Sequence, residues 1–222
     1  MAQIFSPYGL RVLKLLGEGY YSTGMHTYPV TAAAIATQGI YFGDPVGLQG
    51  GTIVPLTASP TSALPGVIGV FQGCSWQDPF RGFVNAQYLP AGIFTSGATN
   101  VLVKIMDYPY PIMRVQSDGV LTQASTPSPI GMNGQLMGLP SVGSTFTGNS
   151  KVYLSTGNPS PTTPPLTAGP ALGTGPLAVR IVGFVVDAGP SPGAQSIPGD
   201  PFTDMLVTWN FGVPRYQNAA GG

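Results

Sequence analysis

Residues 39–56, GIYFGDPVGLQGGTIVPL, carry the pattern that the rest of the chain repeats. Ile40 and Phe42 fall on one side of an extended backbone and Tyr41 on the other, the period-two alternation of a half-buried strand. Gly43-Asp44-Pro45 breaks the run, because proline fixes its φ and has no N–H for a ladder, while Gly and Asp supply turn geometry. Gly50-Gly51 makes a second break before Thr52-Ile53-Val54. The stretch reads strand, turn, short strand, glycine turn, strand, and contains no reactive chemistry.

Further along, residues 67–71 predict a buried strand, turned by GCSWQDP at 73–79. A weaker strand follows at 83–89, with another candidate at 91–94. Residues 101–106 set Val101, Val103 and Ile105 on one face, and 107–111 stop that strand. The pattern resumes at 112–116, with Met113 and Val115 opposite Ile112, Arg114 and Gln116. Residues 131–148 read as loop with at most a weak strand, 152–154 as a short strand and 178–186 as a strongly apolar one. At 205–211, Met205, Val207, Trp209 and Phe211 alternate with Leu206, Thr208 and Asn210. Residues 57–65, 158–176 and 187–201 are loops rich in Pro, Gly, Ser and Thr. The best helix candidate is TAAAIA at 31–36, too short to stand alone.

Strands spaced by roughly 8–12 residues with no strand–helix–strand alternation predict an all-β fold. The expectation is an antiparallel β-sandwich or barrel, jelly-roll-like, with long Gly/Pro-rich loops and an extended N-terminal arm. The organisation read from the sequence is an arm over 1–38, a β domain over 39–214 with a soft internal boundary at 117–128, and a flexible tail over 215–222. One barrel or two packed modules both fit. Within the arm, RVLKLL at 11–16 suits a strand or a helical turn, and 17–24 holds three glycines beside Tyr20-Tyr21. Two readings stand for it: an arm that packs on a neighbouring subunit, or an ordinary first strand with loops.

Composition sharpens this picture. Gly 32 and Pro 24 among 222 residues point toward disorder, but 43% hydrophobic and 10% aromatic content argue for a packed core joined by many turns. Only 7% of residues are charged and the net charge is zero, against about 25% charged in a usual soluble domain. A surface so poor in charge with mean hydropathy +0.22 suits a protein covered by another protein. A surface rich in Ser, Thr, Asn and Gln is the other way to reach the same composition. Eight scattered Lys and Arg form no basic patch, so nucleic acid is not an expected partner. The N-terminus lacks a signal-peptide pattern, no apolar run reaches the roughly 18 residues of a membrane helix, and no membrane partner is expected.

Candidate chemistry is sparse. The one histidine, His26, sits in what reads as a polar loop with neither a nucleophile nor an orienting acid in its flanks. Cys74 has no neighbouring cation and reads as a small buried hydrophobe. Asp44, Asp78 and Asp200 precede prolines and Asp107 lies two before one, the positions of turn caps. No phosphate-binding loop, paired-carboxylate spacing or metal-ligand cluster is present, so the chain reads as a non-enzyme with no cofactor. Tyr20, Tyr21, Tyr28, Trp76, Tyr88, Tyr108 and Tyr110 lie in or beside loops, placed for a protein interface or a sugar groove.

The order of motifs resembles a family of tailed-bacteriophage capsid cement or decoration proteins. The blocks are Thr27-Tyr28-Pro29-Val30, GIYFGDPV at 39–46, Gly51-Thr52-Ile53, GVFQGCSWQDP at 69–79, Asp107-Tyr108-Pro109 with MRVQSDG at 113–119, IGMN at 130–133, GSTFTG at 143–148, VRIVG at 179–183 and LVTWN at 206–210. The sequence departs from the family's usual Arg-Pro pair at Arg11-Val12, and from Asp-Asp-Pro at Asp107-Tyr108-Pro109. The resemblance implies a structural virion protein on the outer surface of an icosahedral head, clamping seams between major capsid protein subunits. It implies a homotrimer, with a dimer as the alternative, and arm contacts through Phe5, Leu10, Val12, Leu15 and Leu16 with Tyr20 and Tyr21. The alternative function is a carbohydrate-binding or adhesin-type β module using loop aromatics.

Overall fold

The computed structural model describes residues 5–15, 25–59, 66–122, 128–140, 143–157, 171–174, 176–185 and 202–210. In chain order the strands are β1 (Arg11–Leu15), β2 (Met25–Pro29), β3 (Ile40–Tyr41), β4 (Pro45–Gln49), β5 (Thr52–Pro55), β6 (Val67–Asp78), β7 (Gly82–Ala86), β8 (Tyr88–Leu89), β9 (Thr99–Met106), β10 (Pro111–Gln116), β11 (Asn133–Gly134), β12 (Leu136–Met137), β13 (Tyr153–Leu154), β14 (Val179–Phe184) and β15 (Asp204–Trp209). Every ladder between them is antiparallel, and the fold is all-β. One sheet runs β1-β10-β15-β14-β11; the other runs β2-β9-β6-β4-β5 with β7 also paired to β6. Two small ribbons, β3-β8 and β12-β13, complete the described strands. A parallel bridge from Val30 to Ile53 ties the chain just after β2 to β5, so the second sheet curls back on itself.

Strand β6 connects two cores. One core gathers Leu10, Met113, Val115, Ile181, Val207 and their neighbours from the first sheet; the other gathers Ile40, Ile53, Phe71, Val103, Ile105 and their neighbours inside the curl of the second. Val67 and Val70 belong to the first core, Ile68 and Phe71 to the second. Simple alternation would not sort them so. A bulge opposite Val46 and Gly47 inserts one extra residue in β6 and resets the faces. Gly69 permits the close approach there: a Cβ on it would lie 2.1 Å from the Met106 carbonyl oxygen.

Residues 73–79, expected to turn the chain, instead extend β6 through Asp78. The reason is a second bulge, where Phe71 pairs with Ile105 and Gly73 with Lys104, which bends the strand without ending it. The TAAAIA segment forms turns and no helix, with Ala34 N–H donating to the Thr31 carbonyl and Ile35 fully buried. The strand candidate at 91–94 is a turn leading into a 3₁₀ turn at Ile93–Ser96. His26 lies in strand β2 and not in a loop.

The expected boundary at 117–128 does not separate modules among the described residues. Strands β1 and β10 from one side of it share a sheet with β11, β14 and β15 from the other. Nor are the described parts of residues 1–38 a detached arm. Strand β1 pairs with β10 and β2 pairs with β9, so this segment supplies an edge strand to each sheet. The loop residues 158–170 and 187–200, Phe211 and the tail 215–222 lie outside the described residues.

Candidate functional site

The residues expected to form an outward interface separate into two groups. Leu10 and Val12 are buried in this chain's own core, while the bulge between Val12 and Lys14 leaves both Leu13 and Lys14 exposed. Phe5 packs within the chain as well, edge-on to Tyr153 with ring centroids 5.2 Å apart and tilted against Phe202 at 5.1 Å. Leu10 and Val12 are corrected from interface to internal packing, while Phe5 makes its ring contacts within the chain and stays half-buried. Leu15 ends β1, and Leu16, Tyr20 and Tyr21 lie outside the described residues.

The first polar cluster is built by strand geometry. His26 and Tyr28 are two apart on β2 and so share a face. Both reach Asp107, which follows directly on β9. The His26 Nδ1 lies 2.8 and 2.9 Å from the two carboxylate oxygens, and the Tyr28 hydroxyl donates to Oδ2 at 2.5 Å. His26 is 69% exposed while Asp107 is 6% exposed. Asp107, expected as a turn cap, is therefore an acceptor for the edge strand. A histidine held by a carboxylate has two parts of a triad. Among the described residues no serine, threonine or cysteine is seen to hydrogen-bond to His26 as the third.

Sequence reasoning missed a second cluster. On β10, Arg114 donates to Asp204 Oδ2 from Nε at 3.0 Å and Nη2 at 2.5 Å. Tyr8 donates its hydroxyl to the other carboxylate oxygen at 2.8 Å. Burial, then the Asp204 charge, pushes the Tyr8 phenol well above its ordinary value despite the opposing Arg114. Arg11 stacks its guanidinium over the Phe42 ring at 4.4 Å. The Asp204 carboxylate thus accepts from both Tyr8 and Arg114, which ties the segment before β1 to β10 and β15. The signal for it in the sequence was weak: one arginine in an otherwise apolar strand.

Cys74 is buried on β6, with its thiol toward the Tyr88 carbonyl at 3.3 Å and the Ala86 carbonyl at 3.6 Å. Burial pushes its pKa up to about 12, against a smaller lowering by Lys104. Its placement is that of a small core residue. Asp78 caps its turn as the sequence indicated, accepting the backbone N–H of Phe80 and of Arg81 at 2.9 Å each. Those two bonds hold its carboxyl below the usual carboxylate value.

Around that turn lies an open cleft of about 540 Å³, lined by Trp76, Asp78, Phe80, Arg81, Tyr88 and Ile93 among others. Of the aromatics singled out in the sequence, Trp76 and Tyr88 meet here; Tyr28 serves Asp107; Tyr108 and Tyr110 contact each other edge-on at 6.4 Å. Phe80, not singled out, stands at the lip. Its signal was present as Asp-Pro-Phe-Arg-Gly, a turn sequence carrying an aromatic at its tip.

Among the described residues no group of three or more His, Cys, Asp or Glu is placed to hold a metal ion, and no helix is long and apolar enough to cross a membrane. Comparison with family models, with curated proteins and with solved structures finds no match.

Proposed function

We propose that this chain is a structural, non-catalytic virion protein that decorates the outside of an icosahedral phage head and clamps seams between major capsid protein subunits. The observation that carries the reading is the placement of the N-terminal segment. Among the described residues, strands β1 and β2 are edges of the two sheets, and Leu13 on β1, 39% exposed, and Met25 on β2, 49% exposed, are large apolar side chains open to solvent. An edge strand carries unpaired backbone groups that a neighbouring chain can extend. Alternation after the buried Val12 turns Leu13 outward, and the bulge between Val12 and Lys14 leaves Leu13 out of the register with β10. The clamp thus works through strand edges and Leu13 and Met25, with the buried Leu10 and Val12 holding β1 in place.

Low charge supports the same reading. Burying apolar area contributes about 25 cal/mol per Å², and with few charges to strip the desolvation cost is small. The partner rests on the resemblance of the block order to cement proteins, and the expected homotrimer on the quasi-threefold sites that a capsid lattice offers. The test is co-sedimentation of the purified protein with heads lacking it, across ionic strength. Binding is expected to change little with salt and to fall at least tenfold in a Leu13→Asp, Met25→Asp double variant that stays folded by circular dichroism. No binding by the unaltered protein, or unaltered binding by the folded variant, would overturn the clamp.

A further inference from the structure

We infer that the cleft beside Phe80 is a binding site for a neutral saccharide, separate from the edge strands that face the capsid. The tip that presents Phe80 is fixed by its backbone and by a side-chain cap. Asp78 pairs with Gly82 across a three-residue loop. Pro79 presets one φ, Gly82 takes the left-handed conformation at φ +76°, and the Asp78 carboxylate holds the N–H groups of Phe80 and Arg81. On this stiff tip the Phe80 ring is 93% exposed. A large apolar ring left in water costs stability and gains the fold nothing. Holding it in one position lowers the entropy lost when a ligand covers it.

The chemistry of the walls selects the ligand. Phe80 offers exposed apolar ring surface to the C–H face of a pyranose, with the half-buried Tyr88 beside it and the largely buried Trp76 closing the cleft from the core side. Asp78 is an acceptor kept ionised by its backbone donors, and Arg81 is a donor with five N–H groups. One negative and one positive group leave the cleft without net charge, which suits a ligand whose hydroxyls both donate and accept. A phosphate-rich or acidic ligand would need an excess of cations that the cleft lacks. At about 540 Å³ the cleft lies within the roughly 300–1,000 Å³ range of small-ligand sites.

The test uses the purified full chain and a panel of neutral di- and trisaccharides of glucose, galactose, mannose and N-acetylglucosamine, followed by NMR line-shape titration. At least one sugar is expected to shift the Trp76 indole signal, with affinity at least tenfold weaker in Phe80→Ala and weaker in Arg81→Gln. Leu13→Asp should leave sugar binding unchanged, so failure of the capsid reading and failure of this one are distinguishable. Three results would each overturn the inference: no shift with any neutral sugar, equal affinity in Phe80→Ala, or a preference for acidic sugars. So would the finding that Phe80→Ala weakens binding to heads while no sugar binds, which would make the cleft a protein-docking surface.

Discussion

Arg114 on β10 and Asp204 on β15 are joined through a single carboxylate oxygen, Oδ2, which accepts from both Nε and Nη2. The two residues sit diagonally across the ladder, since Arg114 pairs with Leu206 and Gln116 with Asp204. The other oxygen is left for Tyr8. Asp204 therefore fastens the segment that precedes β1 to β15, across nearly the whole length of the chain.

Removing the carboxylate takes an acceptor from a partly buried guanidinium and a half-buried phenol at once. Asp204→Ala is expected to lower stability by about 3 kcal/mol, read as a shift in urea midpoint at constant slope. Tyr8→Phe removes one neutral donor and is expected to cost only about 1 kcal/mol. Equal losses in the two variants would mean that the phenol and not the ion pair holds the strands.

The approach of β6 to β9 gives a second expectation. A methyl on Gly69 would lie 2.1 Å from the Met106 oxygen and 2.7 Å from its carbonyl carbon, both backbone atoms that cannot swing away. Gly69→Ala is expected to cost about 3 kcal/mol by overpacking. Gly183 on β14 is the control, because a Cβ there meets only the Leu206 side chain at 3.7 Å. Gly183→Ala should leave stability within about 0.5 kcal/mol of the unaltered protein. Thermal unfolding of both variants checks the pair.

These two sites mark where the sequence was legible and where it was not. Period-two alternation located β9 through Val101, Val103 and Ile105, and β15 through Met205, Val207 and Trp209, all buried as read. It misread residues 73–79 because a glycine at a bulge and a glycine at a turn look alike in one dimension. Gly73 bends β6 while Asp78-Pro79 ends it. It misplaced Leu10 and Val12 because an amphipathic edge strand and a docking arm carry the same alternation; only the pairing with β10 distinguishes them. The Asp107 and Asp204 clusters were hidden for another reason. Their members are separated by 79 to 81 and by 90 to 196 positions, and no local pattern links them.

Cys74 makes stability depend on alkaline pH. In the unfolded chain its thiol ionises near the ordinary value of 9.0; in the fold it holds its proton up to about 12. Its contribution is therefore complete below pH 9 and is lost as pH rises toward 12. Between those values the unaltered protein should lose stability faster than Cys74→Ala, which lacks the ionisable group. The folded protein should also resist a thiol reagent at pH 8 and react only as fast as it unfolds. Rapid labelling under native conditions would show the thiolate to be available.

Asp107 is expected to govern how firmly β2 sits on its sheet. Among the described strands β2 has β9 as its one ladder partner, and its side chains are mostly exposed, so packing contributes little to holding it. Beside the ladder, His26 and Tyr28 both bond to one carboxylate. Asp107→Ala removes both bonds together, whereas Tyr28→Phe removes one. Local opening of β2 should then be easier by about 2 kcal/mol in the first variant and about 1 kcal/mol in the second. Native-state hydrogen exchange reads this directly: the ladder-bonded amides of β2 should exchange faster in that order, while those of β15 keep the rate of the unaltered protein. Acceleration spread equally over β15 would mean that Asp107 stabilises the whole fold. Unchanged exchange in β2 would mean that the ladder alone holds the edge.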